Sequence, residues 1–269
     1  MLLLVGVVLT AAVLLSCARY GTRALLPLAL LVSFALTAVV SPVLGVAALM
    51  GFIAAVQVER QRGYGQIIAT AATPAAVQAL LLLVAANKIA REEAAELVLE
   101  QMRQFEAYGV QPEMLRELVA LTLRFEPGLQ FVFALLTAVL AYRLSLSVGG
   151  HWGIALPPVL PFRLWRPWEQ LIWVLIGALA LYLVGSGSVA DLAANLMLVM
   201  GAIYAVQGLA LLRFYLWRRR VSRLVEVLIY LGLFFSERLG LITLAGLGLL
   251  DTWFDWRHLG AAESPPDEE

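Results

Sequence analysis

The chain is poor in the residues from which most catalytic and metal sites are built. It has one cysteine and two histidines among 269 residues. A single thiol, Cys17, excludes an internal disulfide framework and a multi-thiolate metal site, and His151 and His258 lie too far apart in sequence to form a ligand spacing. The H-E-x-x-H, G-x-S-x-G and P-loop motifs are also absent. We therefore expect no enzyme, no metal and no cofactor.

Charged residues are scarce as well, and their signs balance. They make up 14% of the chain, with 19 basic and 19 acidic side chains, which argues against nucleic acid as a partner. Hydrophobic residues make up 62%, and the mean hydropathy is +0.87. A soluble domain is usually about 45–50% apolar, so a chain of this length could not bury so much apolar surface in water. The composition predicts a membrane protein whose main partner is the lipid bilayer.

Long apolar runs predict a polytopic all-α bundle. Residues 1–16, 24–58 and 67–87 contain no charged side chain, and about 20 helical residues cross a bilayer. Ser41-Pro42 divides the second run, because proline disfavours helix in the residue before it. We expect about eight spans in a single transmembrane domain, residues 1–257. They cover residues 1–18, 24–41, 43–58, 67–86, 128–148, 169–185, 191–213 and 224–250. The last is either one long tilted helix or a broken pair, and one crossing is favoured.

The distribution of arginine predicts the orientation. If the N-terminus lies outside, most arginines of the short loops fall on the inner side, as the positive-inside rule requires, and the C-terminus is expected outside. The densest basic cluster is Arg213, Arg218–Arg220 and Arg223, which would anchor the chain to anionic lipid or, alternatively, contact a partner protein. We expect a multi-pass protein of the bacterial inner (cytoplasmic) membrane.

One polar excursion, residues 88–127, interrupts the apolar pattern. Apolar residues recur there at three- and four-residue steps on two segments separated at Gly109-Val110-Gln111-Pro112. We expect an extramembrane amphipathic hairpin between spans four and five, ended by Glu126-Pro127-Gly128. It could lie on the bundle surface, cover an outward-facing cavity, or dock a partner.

The two ends of the chain carry weaker signals. Residues 14–17 (LLSC) resemble a bacterial lipobox, but no basic residue precedes them, so a first transmembrane helix is preferred over a lipidated Cys17. Residues 258–269 are short, acidic and proline-containing, and we expect them to be a disordered tail.

Polar residues inside the last spans are candidates for ligand binding or for hydrogen bonds between helices, because hydrocarbon makes unpaired polar groups costly. Asn195 and Gln207 lie about 120° apart on one predicted helix. Glu237 and Arg238 interrupt the last span. Small residues at four-residue spacing, Ala47-Gly51-Ala55 among them, favour tight helix packing within the chain or against a partner.

The closing string, residues 251–257 (DTWFDWR), adds three further candidates. Asp251 and Asp255 share a helix face at i, i+4, and Arg257 could pair with either, while the aromatic residues suit a membrane interface. An intramembrane aspartyl pair that includes Asp191 is disfavoured, since all three aspartates lie at predicted span ends.

Residues 161–168 (PFRLWRPW), the pairs Asn195-Leu196 and Gln207-Gly208, and the closing string together resemble the YybS-like family of bacterial membrane proteins. That family is grouped with the substrate-binding S components of energy-coupling-factor transporters. The resemblance implies a compact S-component-like bundle with a small-molecule cavity, and a transporter energising module as partner.

Two functions remain open from the sequence. The first is a small-molecule binding or transport subunit. The second is a non-transporting scaffold or regulator that binds other membrane proteins. A polar cavity between the last two spans would favour the first function, and a densely packed interior would favour the second.

Overall fold

A computed structural model describes residues 1–85, 93, 95–100 and 111–258 of the chain. Every regular element in this part is helical, which confirms the all-α prediction. The chain divides into two compact units, Met1–Val159 (unit 1) and Leu160–Glu269 (unit 2). The single transmembrane domain therefore stays a prediction. Most of the first half of the expected hairpin and the acidic tail from residue 259 onward lie outside the described residues.

In the described part of unit 1, six helices have defined bounds: α1 (Leu2–Tyr20), α2 (Thr22–Val39), α3 (Pro42–Glu59), α4 (Tyr64–Ala71), α5 (Thr73–Ala85) and α6 (Pro112–His151). Gly21, at φ +90°, makes the sharp connection between α1 and α2. Pro42 is the first residue of α3, a position where its missing N–H costs nothing.

Small residues bring α1 and α3 into close contact. A methyl group added at Gly51 would lie 2.5 Å from the Thr10 carbonyl oxygen, and the Thr10 hydroxyl donates to the Ala47 carbonyl at 2.9 Å. Ala47 and Ala55 are buried on the same face. The small-residue pattern therefore serves packing within the chain.

The predicted boundary at Glu126-Pro127-Gly128 is wrong. Helix α6 runs for 40 residues from Pro112 to His151 and contains Pro127 in its interior. A proline only biases the preceding residue away from helix, and a helix in lipid keeps its backbone hydrogen bonds within itself wherever it can. Leu115 and Val119, from the predicted second arm of the hairpin, are buried in unit 1.

Unit 2 begins with a short 3-10 turn, Phe162–Leu164, and continues through α7 (Leu171–Val184), α8 (Ser188–Arg218), α9 (Arg223–Phe235) and α10 (Glu237–Phe254). Helices α9 and α10 replace the predicted last span. They are bent by 112° at Ser236, so this segment is a broken pair.

The number of crossings is close to the predicted eight. Among the described residues, six helical segments are long and apolar enough to cross a membrane, or up to seven if the bent pair α9–α10 counts as one span. The six are α1, α2, α3, Tyr64–Leu83 (α4 with most of α5), Glu113–His151 of α6, and α8. The remaining predicted span is α7, which has 14 residues and falls below the length of a full crossing. The chain is a polytopic membrane protein.

Helices α8 and α10 touch through two glycines. A methyl group at Gly208 would lie 1.9 Å from the Leu244 carbonyl oxygen, and one at Gly248 would lie 2.0 Å from the Tyr204 carbonyl oxygen. The C-terminal ends of both helices lie at the same end of unit 2, because the Tyr215 hydroxyl donates to the Trp256 carbonyl at 3.4 Å. The two helices therefore run in the same direction.

Replacing Gly248 with alanine should destabilise the protein by about 1–3 kcal/mol, since the methyl group overlaps backbone atoms of α8. Gly246→Ala is the matched control on the same helix, where nothing lies within 4 Å of the added methyl group. Thermal unfolding in detergent should show a lower Tm for G248A and an unchanged or higher Tm for G246A. Equal Tm values for the two variants would contradict the close packing.

Because α8 and α10 run in the same direction, α9 must return the chain within its 13 residues. We expect α9 and α10 to enter and leave the membrane on one side, which reverses the predicted placement of the C-terminus relative to the basic cluster. Topology reporters fused after Arg220 and after His258 should report the same side. A fusion after Gly187, at the start of α8, should report the opposite side. Opposite signals from the Arg220 and His258 fusions would show a complete crossing instead.

Candidate functional site: a buried ion pair in unit 2

A buried ion pair lies at the C-terminal end of α10 in unit 2. The Arg257 Nη2 atom is 2.7 Å from Asp251 Oδ2, and the two side chains are 0% and 1% exposed. The Arg257 Nε atom donates to the same oxygen at 3.1 Å. Of the two partners that the sequence offered to Arg257, the structure selects Asp251.

The end of α10 explains this choice. Asp251 lies in the last turn of the helix, and Asp255 caps it in the left-handed conformation at φ +40°, with its N–H donating to the Asp251 carbonyl at 3.0 Å. A left-handed residue ends a helix and reverses the chain direction. Arg257 is therefore folded back over the last turn and reaches Asp251 from only six residues away.

Gln207 connects the ion pair to α8. Its Nε2 atom donates to Asp251 Oδ2 at 3.0 Å, and its Oε1 atom accepts from the Thr252 hydroxyl at 3.2 Å. Gln207 is completely buried. Because the two helices approach closely at the neighbouring Gly208, the Gln207 amide can reach α10. Both its nitrogen and its oxygen form hydrogen bonds with that helix.

Arg257 also holds the segment that precedes α7. Its Nη1 atom donates to the carbonyl oxygens of Arg163 and Trp165, each at 3.0 Å. The Arg163 guanidinium in turn lies 4.2 Å from the centre of the Trp217 ring. Arg257 thus ties α10 to the proline-rich segment 161–168, and Gln207 ties α10 to α8. We call Gln207, Asp251, Thr252 and Arg257 the polar clamp.

A second arginine extends the clamp toward the surface. Arg166 donates to Glu169 at 2.7 Å, to Asp255 Oδ1 at 3.5 Å and to the Thr252 carbonyl at 3.4 Å. Asp255 therefore pairs with Arg166, a residue for which the sequence offered no partner.

The electrostatics of the clamp favour a structural role. Asp251 Oδ2 accepts three hydrogen bonds, while Oδ1 accepts none from the described residues. Removing one member of a buried pair leaves an uncompensated charge and typically costs about 3–5 kcal/mol. A ligand that bound Asp251 or Arg257 would have to break this ion pair. The arrangement is therefore suited to holding helices together.

The remaining candidates lie apart from the clamp. Asn195 donates to the Asp191 carbonyl at 2.8 Å, one turn earlier on its own helix. Arg238 is exposed at the first turn of α10, about 20 Å along the helix from Asp251. The side chain of Glu237 lies outside the described residues. The structure thus unites Gln207, Asp251 and Arg257, with Asp255 beside them, and leaves the other three candidates elsewhere.

Sequence reasoning missed Thr252, Arg166 and the carbonyls of Arg163 and Trp165. A backbone carbonyl is present at every position, so residue types do not indicate which carbonyls accept a hydrogen bond. Residues 163 and 257 are also too far apart in sequence for helical periodicity to predict their contact. The one available signal was that both segments belong to the strings on which the family resemblance depends.

Unit 1 contains an open cleft of about 770 Å³. It lies where α1 and α3 end and where the chain leaves α6, and its lining includes Arg19, Glu59, Arg62, Trp152, Ile154 and Pro157. No group of three or more histidine, cysteine, aspartate or glutamate residues in the described part of the chain could hold a metal ion.

Asp251→Asn should lower the free energy of unfolding by about 3–5 kcal/mol, because it leaves the Arg257 charge buried without a counter-ion. Asp255→Asn is the matched control, since its pair with Arg166 is longer and partly exposed and is worth about 1 kcal/mol or less. Denaturant titration in mixed micelles measures both. A D251N variant as stable as D255N would show that the clamp is not structural.

Comparison with known proteins gives one match. No curated protein and no solved structure matches the chain. Residues 1–252 match the family described as "Predicted membrane protein (DUF2232)". This region includes α1 to α9, most of α10 and three of the four clamp residues. Together with the apolar helices, the match shows that the chain belongs to this family of membrane proteins.

Proposed function

We propose that the protein is a non-transporting membrane scaffold or regulatory subunit, which acts by binding other membrane proteins. The observation that carries this proposal is the polar clamp. Three of the seven residues that the sequence offered for a substrate, Gln207, Asp251 and Arg257, bind one another and are buried.

The packing of α8 against α10 supports the same proposal. At Gly208 and Gly248 the two backbones are too close for even one added methyl group. A substrate at this interface would have to separate the helices and break the buried ion pair. The dense interior is the arrangement expected of a scaffold.

The contact surface that we assign to partners is the basic turn, residues 218–223. Arg218, Arg219, Arg220 and Arg223 are exposed and form no ion pair with the described residues, whereas Arg213 pairs with Glu226. Arg220, at φ +50°, and the bond from the Val221 N–H to the Leu216 carbonyl end α8 in an ordered turn. The charge of the turn suits an acidic surface of another protein of the bacterial inner membrane.

A second function is supported by a different observation. The resemblance to the YybS-like family, which is grouped with the S components of energy-coupling-factor transporters, implies a small-molecule subunit. The open cleft of unit 1 has the volume of a small-molecule site. In this alternative the cleft, and not the polar clamp, would take the substrate, and an energising module would be the partner.

A photo-crosslinking residue in place of Leu224, which is 71% exposed beside the basic turn, tests the proposal in native membranes. We expect a protein adduct that falls roughly tenfold when Arg218, Arg219 and Arg220 are all replaced by glutamine, since each exposed charge pair contributes about 0.2–1 kcal/mol. The double variant R23Q/R60Q is the control for charge and should leave the adduct unchanged.

A crosslinker in place of Leu239, at the start of α10, is the control for position and should give no such adduct. An adduct that is indifferent to the triple variant would refute the assigned surface. Co-purification with an ATPase module, or a metabolite-dependent rise in Tm, would favour the transport subunit.

A further inference from the structure

We propose that the cleft of unit 1 binds a phosphate group, carried either by the headgroup of an anionic phospholipid or by a small soluble phosphate ester. The proposal depends on the geometry of unit 1 alone and not on the proposed function, whose test lies in unit 2.

The walls of the cleft are ordered turns. Gln61 takes the left-handed conformation at φ +53°, and the Arg62 N–H donates to the Gln57 carbonyl at 3.1 Å, which closes α3. Gly153, at φ +69°, and the bond from the Ile154 N–H to the Gly149 carbonyl at 2.9 Å close α6 in the same way. These bonds form the Schellman motif and satisfy the last carbonyls of each helix. The backbone that carries Arg62 and Trp152 is therefore fixed.

The one acidic residue in the lining is already engaged. The carboxylate of Glu59 accepts from the Thr22 N–H at 2.7 Å and from the Thr22 hydroxyl at 2.5 Å. A carboxylate at the first turn of a helix is stabilised by the N–H groups there, so Glu59 caps α2. Both carboxylate oxygens of Glu59 thus accept hydrogen bonds from the start of that helix.

Two arginines in the lining remain available. Arg19 and Arg62 are exposed, and neither forms an ion pair with a carboxylate of the described residues. The planar guanidinium donates two parallel hydrogen bonds to a phosphate and is the side chain best suited to it. The lining of the cleft thus contains two guanidinium groups that have no carboxylate partner among the described residues.

The helix ends that meet the cleft act on an anion in opposite directions. Helices α1, α3 and α6 end there, and the partial negative charge of a helix C-terminus disfavours an anion. The Schellman bonds reduce this effect, because they occupy the carbonyls that carry it. The N-terminus of α4 favours an anion and so opposes the effect of the C-termini. This helix begins beside Gly63, which lines the cleft, and no side chain caps its first N–H groups.

The position of the cleft suits a phospholipid headgroup. It lies at the ends of helices that cross the membrane, and Trp152 in its lining is 56% exposed. Tryptophan and arginine at a span end are typical of the headgroup layer. The volume of about 770 Å³ accommodates a glycerophosphate headgroup.

Native mass spectrometry of the full-length protein with bound phosphatidylglycerol tests the proposal. We expect R19Q/R62Q to retain at least fivefold less phosphatidylglycerol than the unchanged protein. The matched control is R23Q/R60Q, which removes the same charge from neighbouring positions that do not line the cleft and should retain the lipid. Equal retention by the two variants, or equal loss from both, would overturn the proposal.

Two further measurements complete the test. Glycerol 3-phosphate that displaces the lipid would identify a soluble ester as the ligand, and failure to displace it would identify the headgroup. If R19Q/R62Q unfolds, R19K/R62K keeps the charge but loses the paired hydrogen bonds. It should bind several-fold less lipid, and unchanged binding would refute the role of the guanidinium groups.

Discussion

Arg257 is the side chain on which the organisation of unit 2 depends. It is a buried cation with all of its interactions inside the protein: a carboxylate of α10 and two carbonyls of the segment before α7. Because a charge in this position is tolerated only with a complete set of partners, these elements must be in place together. Gln207 adds α8 to the set. The glycine contacts between α8 and α10 follow from the same requirement, since only close backbones allow the amide to reach Asp251.

Much of the fold could be predicted from the sequence because lipid leaves few choices. Apolar runs of span length become helices, and Ser41-Pro42 divides two of them as expected. The prediction failed at Pro127, where a local preference competed with the need to keep backbone bonds inside the helix, and the helix continued. From the sequence, Arg257 could pair with either Asp251 or Asp255, because the two aspartates share a helix face. The left-handed conformation of Asp255 decides it, and helical periodicity contains no information on that conformation.

The two units use their charged residues differently, and this difference shapes the account of function. In unit 2 the buried charges neutralise one another and hold helices, which favours a scaffold over a substrate site at the clamp. In unit 1 the arginines of the cleft remain accessible beside a glutamate that caps a helix. The proposed contacts to other proteins and to a phosphate group therefore use exposed arginines, and the buried charges hold the helices of unit 2 together.

A double-mutant cycle between Asp251 and Arg257 tests the central claim most directly. The free energies of unfolding of D251N, R257Q and the double variant give the coupling between the two side chains. The account predicts a coupling of about 1.5–3 kcal/mol, with the double variant much less damaged than the sum of the single variants. Additive effects, with a coupling near zero, would contradict it, because they would mean that the two charges do not depend on each other.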